Sequence, residues 1–210
     1  MPADGWSARC NALLLRPGVK TAVLSACGLP LAWLLGSALA DRLGANPAEA
    51  LIRGLGDWTL RLLCLTLAVT PLRQALGLNA LVRWRRGFGL WSFAYGSLHL
   101  LAWAWLDMDL ELQRIVTDIA RRPFIVVGIT ALALMVPLAA TSFERAMRWL
   151  GGRRWRALHR VVYAIAVLAL LHFFWMRAGK HDYVEVWWYA SLVTVLLGWR
   201  VLHRLRTPSR

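Results

Sequence analysis

The stretch LHRVVYAIAVLALLHFFWMR, residues 158–177, is apolar enough to cross a bilayer and still carries two imidazoles, His159 near its start and His172 toward its end. An α-helix rises 1.5 Å per residue, so about 20 such residues cover the roughly 30 Å of hydrocarbon in a membrane. Working outward, five more runs have comparable length and polarity: 21–40, 58–76, 87–106, 124–143 and 183–203. The expected fold is all-α, an integral membrane bundle of six transmembrane helices forming a single domain over residues 1–210. The run 58–76 is the weakest, because Arg61, Thr70-Pro71 and Arg73 lie toward its ends. Its centre is too apolar for a loop, and arginines near span ends can snorkel to the interface.

Composition supports a membrane protein. Of the 210 residues 59% are hydrophobic and 13 are Trp, against roughly 45–50% apolar residues in ordinary soluble domains. The net charge of +14 comes from short basic clusters between apolar runs, not from one polar basic face, which argues against nucleic-acid binding. Sorting charges by alternate loops puts 17 cations with two acids, Asp4 and Glu144, on one side, and eight cations with nine acids on the other. Under the positive-inside rule both termini and the 2–3 and 4–5 loops are expected in the cytoplasm. Trp84, Trp149, Trp155 and Trp199 at one set of span ends, and Trp58, Trp103, Trp105, Trp175, Trp187 and Trp188 at the other, read as interfacial belts. The first run ends in Ala38-Leu39-Ala40, which resembles a signal-peptidase site, but its length favours an uncleaved anchor.

Histidines inside hydrocarbon need a partner. His99 lies 12 residues into the run 87–106 and His172 lies 14 into 158–177, about 18 and 21 Å along parallel helices. Matching depth is what bis-histidine ligation of a haem between two helices requires. Cys10, Cys27 and Cys64 form no Cys-x-x-Cys-His element, so covalent c-type attachment is excluded and any haem is held by ligation and packing alone. His159 is a further candidate ligand, but 13 residues before His172 an ideal helix leaves the two side chains roughly 140° apart. Arg85 and Arg86 stand where its opposite ligand would be and suit a haem propionate or another anion better than iron. A headgroup or quinone contact competes with ligation at His159, while His181 and His203 are expected to be solvated.

The segments Arg85-Arg86-Gly87-Phe88-Gly89-Leu90 leading to Tyr95-x-x-x-His99, and Trp155-Arg156-Ala157-Leu158-His159-Arg160-x-x-Tyr163 leading to Leu171-His172-Phe173, resemble the ferric-reductase-like transmembrane family. The resemblance implies a membrane electron carrier with haem b on His99, His159 and His172, accompanied by FMN. It further implies electron delivery from the quinone pool or a flavin reductase to a periplasmic molybdopterin-containing subunit, in a heterodimer that reduces methionine sulfoxide. Catalysis is expected on that partner, with no catalytic residue here. The chain departs from the family's oxidase branch: an arginine, Arg85 or Arg86, replaces the fourth histidine, and no FAD or NADPH domain follows the last run. Two other readings are a di-haem, quinol-linked cytochrome b subunit and a haem-free transporter or scaffold.

Overall fold

The computed structural model describes residues 5–178 and 182–206, all in helices and short connections, with no strand among the described residues. In chain order the helices are α1 (Gly5–Leu15), α2 (Val19–Ala26), α3 (Leu29–Leu39), α4 (Pro47–Leu76), α5 (Val82–Ala102), α6 (Leu112–Arg121), α7 (Pro123–Ala140), α8 (Glu144–Leu150), α9 (Gly152–His159), α10 (Val162–Ala178) and α11 (Val184–Arg206). Four helical stretches are long and apolar enough to cross a membrane: Val19–Leu39, Pro47–Leu76, Pro123–Ala140 and Gly152–Ala178. The other two expected spans correspond to α5 and α11, of 21 and 23 residues, in which arginines, a glutamate and tryptophans dilute the apolar content.

The elements differ from simple rods in four places. The first expected span is two helices, because the Tyr95 hydroxyl is inserted into the backbone ladder: it accepts from Leu31 N–H at 2.9 Å and donates to Cys27 C=O at 2.8 Å. Those two groups are four residues apart and would bond each other in an unbroken helix. The second span starts at Pro47 and runs 30 residues, well beyond the expected 58–76. Asn46 caps it by accepting from Glu49 N–H at 3.1 Å, with proline at the first helical position where no N–H is needed. The fifth span is interrupted after His159, so α9 and α10 are separate helices. Finally, the connection between α5 and α7 is a π-helical turn, Trp103–Asp107, followed by α6.

α4 is the central element. It packs along α5, α7 packs along α10, the pairs meet where α5 touches α7, and α11 lies against α10 and α4. One buried cluster joins Leu60, Leu63, Cys64 and Leu67 of α4 to Met135, Ile165, Ala166, Phe173, Val193 and Leu196. A second joins Ile52, Leu55, Leu62 and Val69 to Leu34, Trp84, Phe88 and Tyr95. Pro71 inside α4 has no N–H for the Leu67 carbonyl four residues back. Arg200, buried in α11, donates to that carbonyl and stacks over Tyr163 at 5.2 Å. A charged residue inside the bundle is thereby explained by a gap in a neighbour's backbone. The polar groups that remain lie at a few positions along α4, α5, α7 and α10, and these surround two internal spaces.

Candidate functional site

His99 on α5 and His172 on α10 come together with ring centroids 6.1 Å apart and planes at 83°. Each ring is anchored the same way: His99 Nδ1 lies 2.8 Å from the Ile52 carbonyl and His172 Nδ1 lies 2.7 Å from the Phe124 carbonyl. A carbonyl only accepts, so both Nδ1 atoms carry the proton and both Nε2 atoms keep a lone pair. This is the tautomer in which an imidazole binds a metal through Nε2, its orientation fixed by the bond at the other nitrogen. Glycines make the room. A methyl at Gly128 would sit 2.7 Å from His172 Nδ1, and one at Gly56 would sit 3.2 Å from His99 Nδ1.

The two imidazoles line a cavity of about 440 Å³ walled by α4, α5, α7 and α10. Its lining is apolar around Leu60, Leu63, Leu132, Met135 and Ile165, while Glu49, Arg53, Asp57, Asp107 and Arg122 contribute polar groups. Asp107 lies beyond the end of α5, where burial pushes its carboxyl above the usual range; Asp118 and Glu49 add to the rise and Arg122 opposes it. Among the described residues no group of three or more His, Cys, Asp or Glu is placed to hold a metal ion. Two imidazoles alone would hold a free ion poorly, so a metal here has to bring its other ligands with it. A haem would do that, with His99 and His172 as the residues that would hold its iron through Nε2. The donor set, tautomers and apolar walls fit the group.

His159, Arg85 and Arg86 lie elsewhere, together in a second cavity of about 380 Å³. Leu63, Met135 and Ile165 line both cavities and so form the wall between them. His159 is held differently from the other two histidines. Its Nε2 is 3.1 Å from Thr141 Oγ1, whose hydroxyl donates to the Pro137 carbonyl at 2.6 Å and so accepts from the imidazole. The ring stacks on Trp155 at 4.1 Å, and the Trp155 indole donates to the Thr141 carbonyl at 2.9 Å. Arg86 lies over the Phe143 ring at 5.3 Å. With α9 and α10 separate, the angle expected between His159 and His172 on one continuous helix does not apply. His203 is exposed near the end of α11, and His181 and Lys180 lie outside the described residues.

Several contributors were not singled out in the sequence. The carbonyls of Ile52 and Phe124 carry no side-chain signature. Gly56 and Gly128 do carry one, a residue without a side chain inside an apolar helix. Thr141 is recognisable only through the fold, and Trp155, read from the sequence as an interfacial residue and part of the family motif, is placed against the His159 ring only there.

Helical throughout its described residues, the chain faces two imidazoles into one cavity between long apolar helices, the arrangement of a membrane protein built to hold a group between two helices. The profile of the ferric reductase like transmembrane component matches residues 55–170, a segment containing His99, His159, Arg85 and Arg86 and ending two residues short of His172. The chain belongs to the ferric-reductase-like transmembrane family. Among individual proteins it is similar to the protein-methionine-sulfoxide reductase heme-binding subunit MsrQ of Polaromonas naphthalenivorans, 54% identical over 93% of this chain and 90% of the relative. The subunit of the same name from Ralstonia nicotianae is 52% identical over 87% of this chain and 84% of the relative, and that from Azospira oryzae is 48% identical over 90% and 80%. No solved structure matches the chain significantly.

Proposed function

We propose that this chain is the haem-binding membrane subunit of a methionine sulfoxide reductase system. On this reading it forms one domain over residues 1–210 with six spans, α5 and α11 completing the four that hydropathy alone selects. The 17-to-8 segregation of cations supports cytoplasmic termini and a location in the bacterial inner membrane. The observation that carries the proposal is the pair His99 and His172, with Nδ1 protons tied to backbone carbonyls, Nε2 atoms left to ligate and a shared cavity between them.

A haem b held by those two atoms supplies one-electron transfer. The protein's own contribution is to fix both rings, through Ile52 and Phe124, so that ligation requires little reorganisation. Leu60, Leu63, Leu132, Met135 and Ile165 would give the bound group apolar walls, and the residues shared by both cavities keep the two spaces within a side chain's thickness of each other. Arg85, Arg86 and His159 offer two cations, an imidazole and a neighbouring indole face at the cytoplasmic end. That combination suits a planar group with an anionic arm, be it a propionate or the phosphate of FMN, and marks the side on which a quinol or a flavin reductase delivers electrons. On the opposite side electrons leave to a periplasmic molybdopterin partner of the MsrP type.

The test is cofactor content. His99→Ala and His172→Ala, purified as folded protein, are expected to lose the dithionite-reduced b-type spectrum. His159→Gln is expected to alter only what the second cavity holds, read as haem per chain by pyridine haemochrome and as flavin by fluorescence after denaturation. A parent-like spectrum in both His99→Ala and His172→Ala would overturn the assignment.

A further inference from the structure

The connection between α5 and α7 contains α6, whose residues sort by polarity around the helix. At 100° per residue, Ile115, Ile119, Leu112, Val116 and Ala120 fall on one continuous arc of about 140°, and Gln113, Arg114, Thr117, Asp118 and Arg121 fill the rest. Only half of the apolar arc is used by the fold. Ile115 and Ile119 are half-buried, whereas Leu112 and Val116 are 73% and 58% exposed. The preceding backbone adds to this surface. Asp109 and Leu110 both have positive φ, 53° and 58°; a leucine rarely adopts that conformation, and Leu110 is 62% exposed. Arg114 is held by Asp109 and Glu111 at 2.7 and 2.6 Å, so the connection's charges are gathered among themselves.

What covers such a stripe follows from its neighbours. Leu101 and Trp105, at the end of α5 and in the turn after it, are 59% and 65% exposed, and Val126 at the start of α7 is 48% exposed. These belong to the lateral surface of the bundle, which faces hydrocarbon in a spanning protein, and Trp is the residue that marks its edge. We infer that α6 lies in the plane of the membrane and seats Leu112, Val116 and Leu110 in the acyl boundary of the leaflet at the acid-rich end. A helix with one apolar stripe and a charged opposite side, continuous with a lipid-facing surface, binds lipid rather than a second protein. Through the Asp118–Arg122 ion pair at 3.0 Å, this anchoring fixes Arg122, which lines the His99–His172 cavity. The inference is independent of what that cavity holds.

The experiment places a nitroxide on adjacent residues. In a Cys10→Ser background, with Cys27 and Cys64 left buried, Val116→Cys and Thr117→Cys are labelled in the full chain and reconstituted in vesicles of phosphatidylethanolamine and phosphatidylglycerol. The expected result is an inversion between neighbours, the label at 116 relaxed more by oxygen than by the water-soluble nickel chelate and the label at 117 the reverse. Equal access of the chelate to both would show a face bare to water, and shielding of 116 from both reagents would show a face covered by protein; either overturns the proposal. Leu112→Cys reports on the same stripe if Val116→Cys does not reconstitute.

Discussion

Replacing Gly128 by alanine tests the site at its tightest point. The added methyl would lie 2.7 Å from His172 Nδ1 and 2.8 Å from Cε1, about 0.7 Å inside the shortest ordinary contact. The ring cannot absorb this freely. Its Nδ1 is bonded to the Phe124 carbonyl at 2.7 Å, and the Phe124 ring stands 5.8 Å away on another side, so His172 must turn into the cavity or give up its anchor. Overpacking of this kind costs about 1–3 kcal/mol, against which alanine gains about 0.5–1 kcal/mol over glycine in a helix. Global stability should therefore fall by no more than about 2.5 kcal/mol, while ligation suffers directly. A penalty of about 1–2 kcal/mol on the ligating geometry weakens haem retention roughly 5- to 30-fold.

The assay is haem per chain and the reduced spectrum after identical purification of Gly128→Ala, Gly56→Ala and Gly36→Ala. Gly56→Ala, with its closest approach at 3.2 Å, is expected to fall between Gly128→Ala and the parent, and Gly36→Ala, with nothing within 4 Å, to match the parent. If Gly128→Ala bound haem as fully as Gly36→Ala, with the same spectrum and midpoint potential, His172 would not be the ligand the geometry makes it.

Three further outcomes are expected. Arg200→Met should destabilise by about 1–3 kcal/mol by leaving the Leu67 carbonyl without its donor, and by clearly less in a Pro71→Ala background that restores a backbone N–H; a double-mutant cycle on detergent unfolding measures the difference, and additivity would refute the pairing. Tyr95→Phe should lower the thermal midpoint by an amount equivalent to about 1–3 kcal/mol, since Cys27 C=O and Leu31 N–H both lose their partner, unless the break between α2 and α3 closes, which amide exchange at Leu31 would report. Asp107 has its carboxyl raised in the folded state, chiefly by burial. Its contribution is therefore full below the ordinary carboxylate range of about pH 4 and is lost as pH rises through the raised value; Asp107→Asn should flatten the pH dependence of the thermal midpoint in that window, and an unchanged profile would count against it.

The pairing of His99 with His172 could be read from sequence because depth in a helix is linear in residue number: His99 lies within α5, His172 lies within α10, and the break between α9 and α10 falls close to the start of the count. His159 could not be placed that way. Its position depends on a break after it, and the residues at the break, Arg160 and Val161, are neither Gly nor Pro. Arg85 and Arg86 were recognisable as the residues opposite His159 from the same counting that located His99. The cavity walls were not: Gly56 and Gly128 stand out as glycines in apolar helices, but which ring fills the space at each is known only from the fold. α6 was hidden for a different reason: a ten-residue amphipathic segment with four charged or amide side chains reads as a polar loop when apolar content is averaged over a span-length window.

Backbone partners set the limit on such reading more firmly than side chains do. The run 21–40 has the length and polarity of one straight span, although Pro30, in the first turn of α3, cannot donate to the Ala26 carbonyl at the end of α2, whereas α7 continues through Pro137. Beside that proline, a hydroxyl 64 residues away on α5 holds the break between α2 and α3, its bonds replacing the one between Cys27 and Leu31. The same exchange, a distant side chain standing in for a missing backbone partner, recurs at Leu67 and Arg200. In hydrocarbon no water can satisfy an interrupted ladder, so each break obliges some other helix to supply a polar group at that depth. Tyr95 lies four residues before His99 on α5, one turn from it. The bond that breaks the first span therefore also fixes the height of α5 against α2 and α3, and the imidazole that meets His172 is carried on a helix whose depth is set by a neighbour's kink.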